Sequence, residues 1–263
     1  MARVIAIANQ KGGVGKTTTA INICASLGAE DKKVLLVDMD PQGNATMGAG
    51  VDKEDLEESV LDLLLGETDF DELVVDAEQA GFDVLPANGE LTAAEVHLLN
   101  FEDREYRLSK VIDKVRDRYD FIFIDCPPSL GMLSLNSLSA ADSVMIPMQC
   151  EYYALEGLTA LLNTIEQIKS SVNPKLEIEG LLRTMFDTRN RLALDVSEEL
   201  TSHFGEQVFD TPVPRNVRLA EAPSYGLPVM YHDIRSSGAQ AYINLAKEMI
   251  ARENERNTQE TVV

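Results

Sequence analysis

What the chain lacks narrows its function first. Among its 263 residues no apolar run approaches the about eighteen that a membrane span requires, so no segment is expected to cross a bilayer. Met1-Ala2-Arg3 leads straight into an apolar stretch without the hydrophobic region of a secretion signal, and the expected compartment is the cytoplasm. Cysteine is scarce. Cys24, Cys126 and Cys150 are odd in number, widely spaced and never in a C-x-x-C pair, which fits a reducing compartment and argues against a structural zinc site. They are expected to pack as small apolar side chains. No Ser/Gly-rich linker, internal repeat or composition break divides the chain. One domain over 1–253 is therefore expected, followed by a polar tail, 254–263, that frays.

Basic residues are the other shortage: 23 Lys and Arg stand against 44 Asp and Glu, a net charge of −21. Taken alone, that opposes nucleic-acid binding. The excess is uneven, however. From Val51 to Asp120 there are 21 acidic and 7 basic residues, a net of −14, so most of the surplus sits in about a quarter of the chain. A local basic face elsewhere stays open. Between Leu181 and Gln240 there is no lysine at all, yet six arginines occur, among them Arg189, Arg191, Arg215, Arg218 and Arg235. Arginine suits bidentate phosphate contacts, but scattered surface arginines paired to Asp187 or Glu221 fit the same residues.

The chain is richest in information at its start. Val4-Ile5-Ala6-Ile7-Ala8 reads as a strand, and Asn9-Gln10-Lys11-Gly12-Gly13-Val14-Gly15-Lys16-Thr17-Thr18-Thr19 as a phosphate loop opening a helix. Gly12, Gly13 and Gly15 let successive N–H groups converge on phosphates, and the helix N-terminus adds its dipole. Lys16 supplies charge to the β- and γ-phosphates, and the Thr17 hydroxyl can ligate Mg²⁺. The strict pattern G-x-x-x-x-G-K-[ST] would place glycine at position 10, where this chain has Gln10. In its stead a second lysine, Lys11, precedes Gly12. Two more apolar strands end in acids: Lys33 to Val37 leads into Asp38-Met39-Asp40-Pro41-Gln42-Gly43-Asn44, and Asp120 to Ile124 leads to Asp125 and then Cys126-Pro127-Pro128-Ser129. Strand followed by acidic loop suits the carboxyl edge of a parallel sheet, although Asp38, Pro41 and Gly43 also suit a plain turn and cap.

Elsewhere the periodicity predicts helices over Glu54–Leu65, Leu91–Leu99, Arg104–Arg118, Leu155–Ser171, Asn190–His203 and Gly238–Arg252, and strands over Phe82–Pro86, Ser143–Pro147 and Leu176–Thr184. The alternation predicts an α/β fold: a single doubly wound, mostly parallel sheet with helices on both faces.

K-G-G-V-G-K-T resembles the deviant Walker A box of the ParA/MinD family of P-loop ATPases. With Val37 to Asn44, Asp125 to Ser129 and Pro214 to Ser224, the chain resembles the chromosomal ParA (Soj-type) partition ATPases over nearly its whole length. The resemblance implies a slow ATPase requiring ATP and Mg²⁺. Gly12, Gly13, Val14, Gly15, Lys16, Thr17 and Thr18 would hold the phosphates. Lys11 would reach in trans to the partner's nucleotide, and Asp40 would orient the attacking water. Thr17, Asp38 and Asp125 would serve the metal or its water shell. Glu151 would lie at the dimer face and could meet Lys11, or simply start a helix. Pro214 and Asn216 would line the adenine pocket, or make a loop-to-helix turn and cap. It further implies an ATP-dependent homodimer that binds double-stranded DNA without sequence preference through Arg189, Arg191, Arg215, Arg218 and Arg235. A ParB-type partner would stimulate hydrolysis and release the dimer from the nucleoid. A MinD-like membrane relative would need a basic amphipathic tail, whereas Glu248 to Glu260 is acidic and poor in apolar residues. An iron–sulfur relative would need paired cysteines near the dimer axis.

Overall fold

Alternation along the strands decides the layering. In the computed structural model, which describes residues 1–262, the strands are β1 (Arg3–Ile7), β2 (Val34–Asp38), β3 (Val75–Ala77), β4 (Phe82–Leu85), β5 (Phe121–Asp125), β6 (Ser143–Gln149) and β7 (Glu177–Thr184). They form one seven-stranded sheet in the order β3-β4-β2-β5-β1-β6-β7. Every neighbouring pair is parallel except β3–β4, which is antiparallel. Val4, Ala6, Ile122 and Ile124 enter one core, and Ile5, Ile7, Phe121 and Phe123 the other. Both faces of the central strands are thus buried, which is why they read as unbroken apolar runs.

The helices are α1 (Lys16–Gly28), α2 (Asn44–Gly48), α3 (Val60–Leu65), α4 (Phe70–Leu73), α5 (Ala94–His97), α6 (Arg107–Val115), α7 (Met132–Ala140), α8 (Ala154–Ser171), α9 (Arg191–Phe204), α10 (Val217–Glu221), α11 (Val229–His232) and α12 (Ser237–Val262). The first core is roofed by α3, α6, α7, α8 and α9, the second by α1, α10, α11 and α12. The doubly wound arrangement expected from the alternation is the one observed.

Three expectations need correction. The helix expected from Glu54 begins only at Val60, because Ser59 starts it: its hydroxyl accepts from the Leu61 N–H while Asp62 accepts from the Ser59 N–H. The closely spaced Glu54, Asp55, Glu57 and Glu58 lie outside, where their repulsion need not be held in a helix. Leu91–Leu99 is not one helix but the short α5 flanked by 3₁₀ turns. The tail does not fray at 254. It continues α12 to Val262, held by Arg252 on Glu248 at 2.8 Å and by Arg256 on Glu179 at 2.9 Å. Glu179 also receives Arg3 at 3.0 Å and the Ser143 hydroxyl at 2.7 Å, so this buried carboxylate joins β1, β6, β7 and the last helix. Its arginine partners hold the Glu179 carboxyl below its ordinary range despite burial.

Candidate active site

The carboxyl ends of β1, β2 and β5 meet at the loop between β1 and α1. Gly13 (φ +73°) and Gly15 (φ +90°) take left-handed conformations there, which residues with a Cβ rarely adopt. Gly15 is the N-cap of α1, so Lys16 and Thr17 are the first helical residues and the helix start faces the loop. Lys16 is 7% exposed.

Asp38 and Asp125 are register partners at the ends of β2 and β5, and both are fully buried. Their surroundings differ. One Asp38 oxygen accepts from the Thr46 N–H and hydroxyl at 2.8 and 2.7 Å, the other from the Asp40 N–H at 3.1 Å. Burial nevertheless pushes the Asp38 carboxyl up to about 6. Neither Asp125 oxygen has a hydrogen-bond partner. Burial and the Asp38 charge raise its carboxyl well above the ordinary range, against the pull of Thr17 and Lys16. An unpartnered buried carboxylate facing a hydroxyl and an ammonium fits a hydrated divalent cation. Among the described residues no three His, Cys, Asp or Glu side chains cluster as a metal cage.

Asp40 stands at the mouth of this edge, its carboxylate accepting from the Gln42 N–H at 3.0 Å. Lys11 and Glu151, each about half exposed, form an ion pair at 2.6 Å within the chain. Thr18, Pro214 and Asn216 border a cavity of about 330 Å³ together with Gly15, Thr184, Met185, Val213, Leu219 and Tyr242. Its largely apolar wall suits a flat heteroaromatic base. The Asn216 amide is committed to capping α10: it accepts from the Arg218 N–H and donates to the Ser237 hydroxyl, both at 2.8 Å. Sequence reasoning missed Tyr242, fully buried, whose hydroxyl hydrogen-bonds that of Thr19 at 3.1 Å. No local pattern marks it, because it comes from the last helix.

The five candidate arginines are all exposed. Arg189 and Arg215 line one groove of about 710 Å³. Arg191 opens α9. Arg218 pairs with Glu221 at 2.7 Å and Asp233 at 3.3 Å, and the Arg235 N–H donates to Asp233. Arg189 grips Asp187 with both arms of its guanidinium, at 2.9 and 2.8 Å. The three cysteines are free and buried, as expected.

Residues 2–178 match the family described as an AAA domain. The sporulation initiation inhibitor protein Soj of Bacillus subtilis is 51% identical over 251 residues, covering 95% of this chain and 99% of that protein. The chromosome partitioning protein ParA of Myxococcus xanthus is 49% identical over 260 residues, covering 99% and 92%. A solved structure of cobyrinic acid a,c-diamide synthase from Mycobacterium smegmatis, with bound ATP analogue and magnesium, superposes with a TM-score of 0.82 at 39% identity, covering 94% of this chain and 93% of that one. About half of all residues are shared end to end with the partition proteins, whose chains it matches almost in full; this chain belongs to the ParA/Soj family of chromosome-partitioning ATPases.

Proposed function

We propose that the protein is a nucleotide-switched DNA-partition ATPase: with ATP and Mg²⁺ it closes into a homodimer that holds double-stranded DNA without sequence preference, and hydrolysis releases it. The observation that carries the nucleotide half is the unpartnered Asp125 carboxylate behind a loop whose Lys16 and Thr17 face it. Thr17, Asp38 and Asp125 would hold Mg²⁺ or its waters, and the ion would supply charge neutralisation to the β- and γ-phosphates. Lys16 and the N–H groups of residues 12–18 bind the phosphates, the Gly15–Tyr242 cavity takes the base, and Asp40 orients water.

Lys11 serves the partner's nucleotide in trans. Its half-exposed ion pair with Glu151 supports this reading, since such a pair is weak and can be exchanged for a phosphate. Hydrolysis is slow on this reading, and a ParB-type centromere-binding partner accelerates it. The DNA surface comprises Arg189, Arg191, Arg215, Arg218 and Arg235. Arg215 supports the coupling of the two halves, because it borders both the base cavity and the groove shared with Arg189.

A membrane-bound role is disfavoured: Arg252 and Arg256 of the last helix turn inward to Glu248 and Glu179. Among the described residues no helix is long and apolar enough to cross a membrane. The deciding experiment measures binding to nonspecific duplex DNA with ATP, ADP and no nucleotide, at two salt concentrations, for wild type and Arg218→Glu. Binding with ATP only, weakened by salt and by the substitution, is expected. Equal binding in every nucleotide state would overturn the switch.

A further inference from the structure

Two side chains reach the phosphate loop from the ends of β6 and β7, the strands that lie on one side of β1. Gln149 and Thr184 end β6 and β7 and are the last register pair of that parallel ladder, so their side chains rise next to one another. The Thr184 hydroxyl donates to the Val14 carbonyl at 2.7 Å, and the Gln149 amide donates to the Gly13 carbonyl at 3.0 Å. Adjacent strand ends therefore hold consecutive carbonyls of the loop. Thr184 is 2% exposed and Val14 1%, which makes the first of these bonds a buried one. Asn9 secures the loop's entry, donating to the Pro147 carbonyl at 2.8 Å and accepting from the Lys11 N–H at 3.0 Å.

A loop of this kind binds an anion only while its N–H groups point inward, and each inward N–H requires that neighbouring carbonyls point elsewhere. Left to itself, a glycine-rich segment samples many arrangements, several of which turn a carbonyl toward the phosphates. We infer that Thr184 and Gln149 are positioning residues for nucleotide binding: by holding the Val14 and Gly13 carbonyls they keep the loop in its anion-receiving form before any nucleotide arrives. The inference rests on the nucleotide reading of this loop. Its link to the base is short. Met185, which follows Thr184, has a left-handed φ of +48°, borders the base cavity and touches the Gln149 amide through its sulfur at 3.0 Å. The turn after β7 thus touches the base cavity with one residue and the loop with the one before it.

The test compares wild type, Thr184→Val, Thr184→Ser and Gln149→Leu. One arm measures the affinity for ADP with magnesium by calorimetry. The other measures hydrogen exchange of the Gly13–Lys16 amides in nucleotide-free protein, with the melting temperature as a control for folding. Thr184→Val is expected to weaken ADP about tenfold and to speed exchange in the loop, since it leaves a buried carbonyl without its donor. Thr184→Ser restores the donor and both properties. Gln149→Leu does the same as Thr184→Val to a smaller degree, and the double substitution costs less than the product of the single effects. Wild-type affinity and wild-type exchange in Thr184→Val would overturn the inference, as would a serine variant no better than valine. Should Thr184→Val not fold, Gln149→Leu at the more open site decides by the same two readouts. Failure of wild type to bind ADP would sink the nucleotide reading, while the exchange arm would still decide whether the two residues hold the loop.

Discussion

The carboxyl edge of the sheet and the exposed arginines treat charge in opposite ways. At the edge, Asp38 and Asp125 are fully buried and Asp125 has no partner, so burial holds their carboxyls toward the protonated form. Among the arginines, Arg189 and Arg218 are in water and already compensated by Asp187, Glu221 and Asp233. Burial makes the first region costly and decisive at every residue; exposure makes the second cheap and cumulative. The two regions therefore call for different experiments.

The sharpest way to break that contrast is to remove charge from the buried side. Asp125→Asn is expected to reduce hydrolysis at least about 100-fold while raising the melting temperature of the nucleotide-free protein at neutral pH by about 3 °C, because a buried, unpartnered carboxyl whose ionisation is opposed by folding disappears. Activity lost together with stability would mean that Asp125 is satisfied in the free protein. Lys11→Ala is expected to leave ADP affinity within about twofold and to stop ATP-dependent dimerisation, read by light scattering, because its ion pair with Glu151 is half exposed.

Acidity tests the same region differently. The native Asp38 carboxyl, pushed up to about 6, keeps a proton that the unfolded chain has already released at its ordinary value near 3.9. Unfolding free energy should therefore fall by about 2 kcal/mol on account of Asp38 as pH rises from 4 to 6, and go on falling above because the Asp125 carboxyl is raised as well; denaturant titrations without nucleotide or magnesium would show it. An Asp38→Asn variant that keeps this slope would assign it to another group.

The exposed side should respond in smaller steps. Arg218→Glu and Arg189→Glu are each expected to weaken ATP-dependent DNA binding, and neutral replacement by alanine to lower the logarithmic salt slope by about one for each phosphate that is no longer neutralised. Smallest of all, Asp187→Asn should tighten DNA binding about twofold by freeing Arg189. Arg189 holds the Asp187 carboxyl down at about 2, so the pair stays ionised from pH 5 to 8 and adds no pH dependence to DNA binding there.

What the sequence disclosed follows the same division between local and distant causes. The loop from Asn9 to Thr19 and the acids closing β2 and β5 were legible because consecutive residues dictate them: glycines where φ is positive, an apolar strand before each acid. The layering of the sheet followed from strand and helix alternating. Thr184, Gln149 and Tyr242 were not legible, for each reaches the site across more than a hundred residues of chain, and a threonine or glutamine at a strand end carries no signature of what it will touch. The acidic segment before Ser59 misled because its apolar spacing continued past the true helix start, and spacing says nothing about where a cap wins. The arginines were visible as a group, but their carboxylate partners were not.

Glu179 gives the chain a property that belongs to its path rather than to its chemistry. Arg3, in the first strand, and Arg256, in the last helix, meet on this one carboxylate, so these two elements are fastened side by side. Linking the last helix to the first strand with a short flexible linker and opening the backbone in an exposed turn, such as the acidic one after Val51, would give a permuted order of the same elements around an unchanged sheet, with the phosphate loop in the interior of the permuted chain.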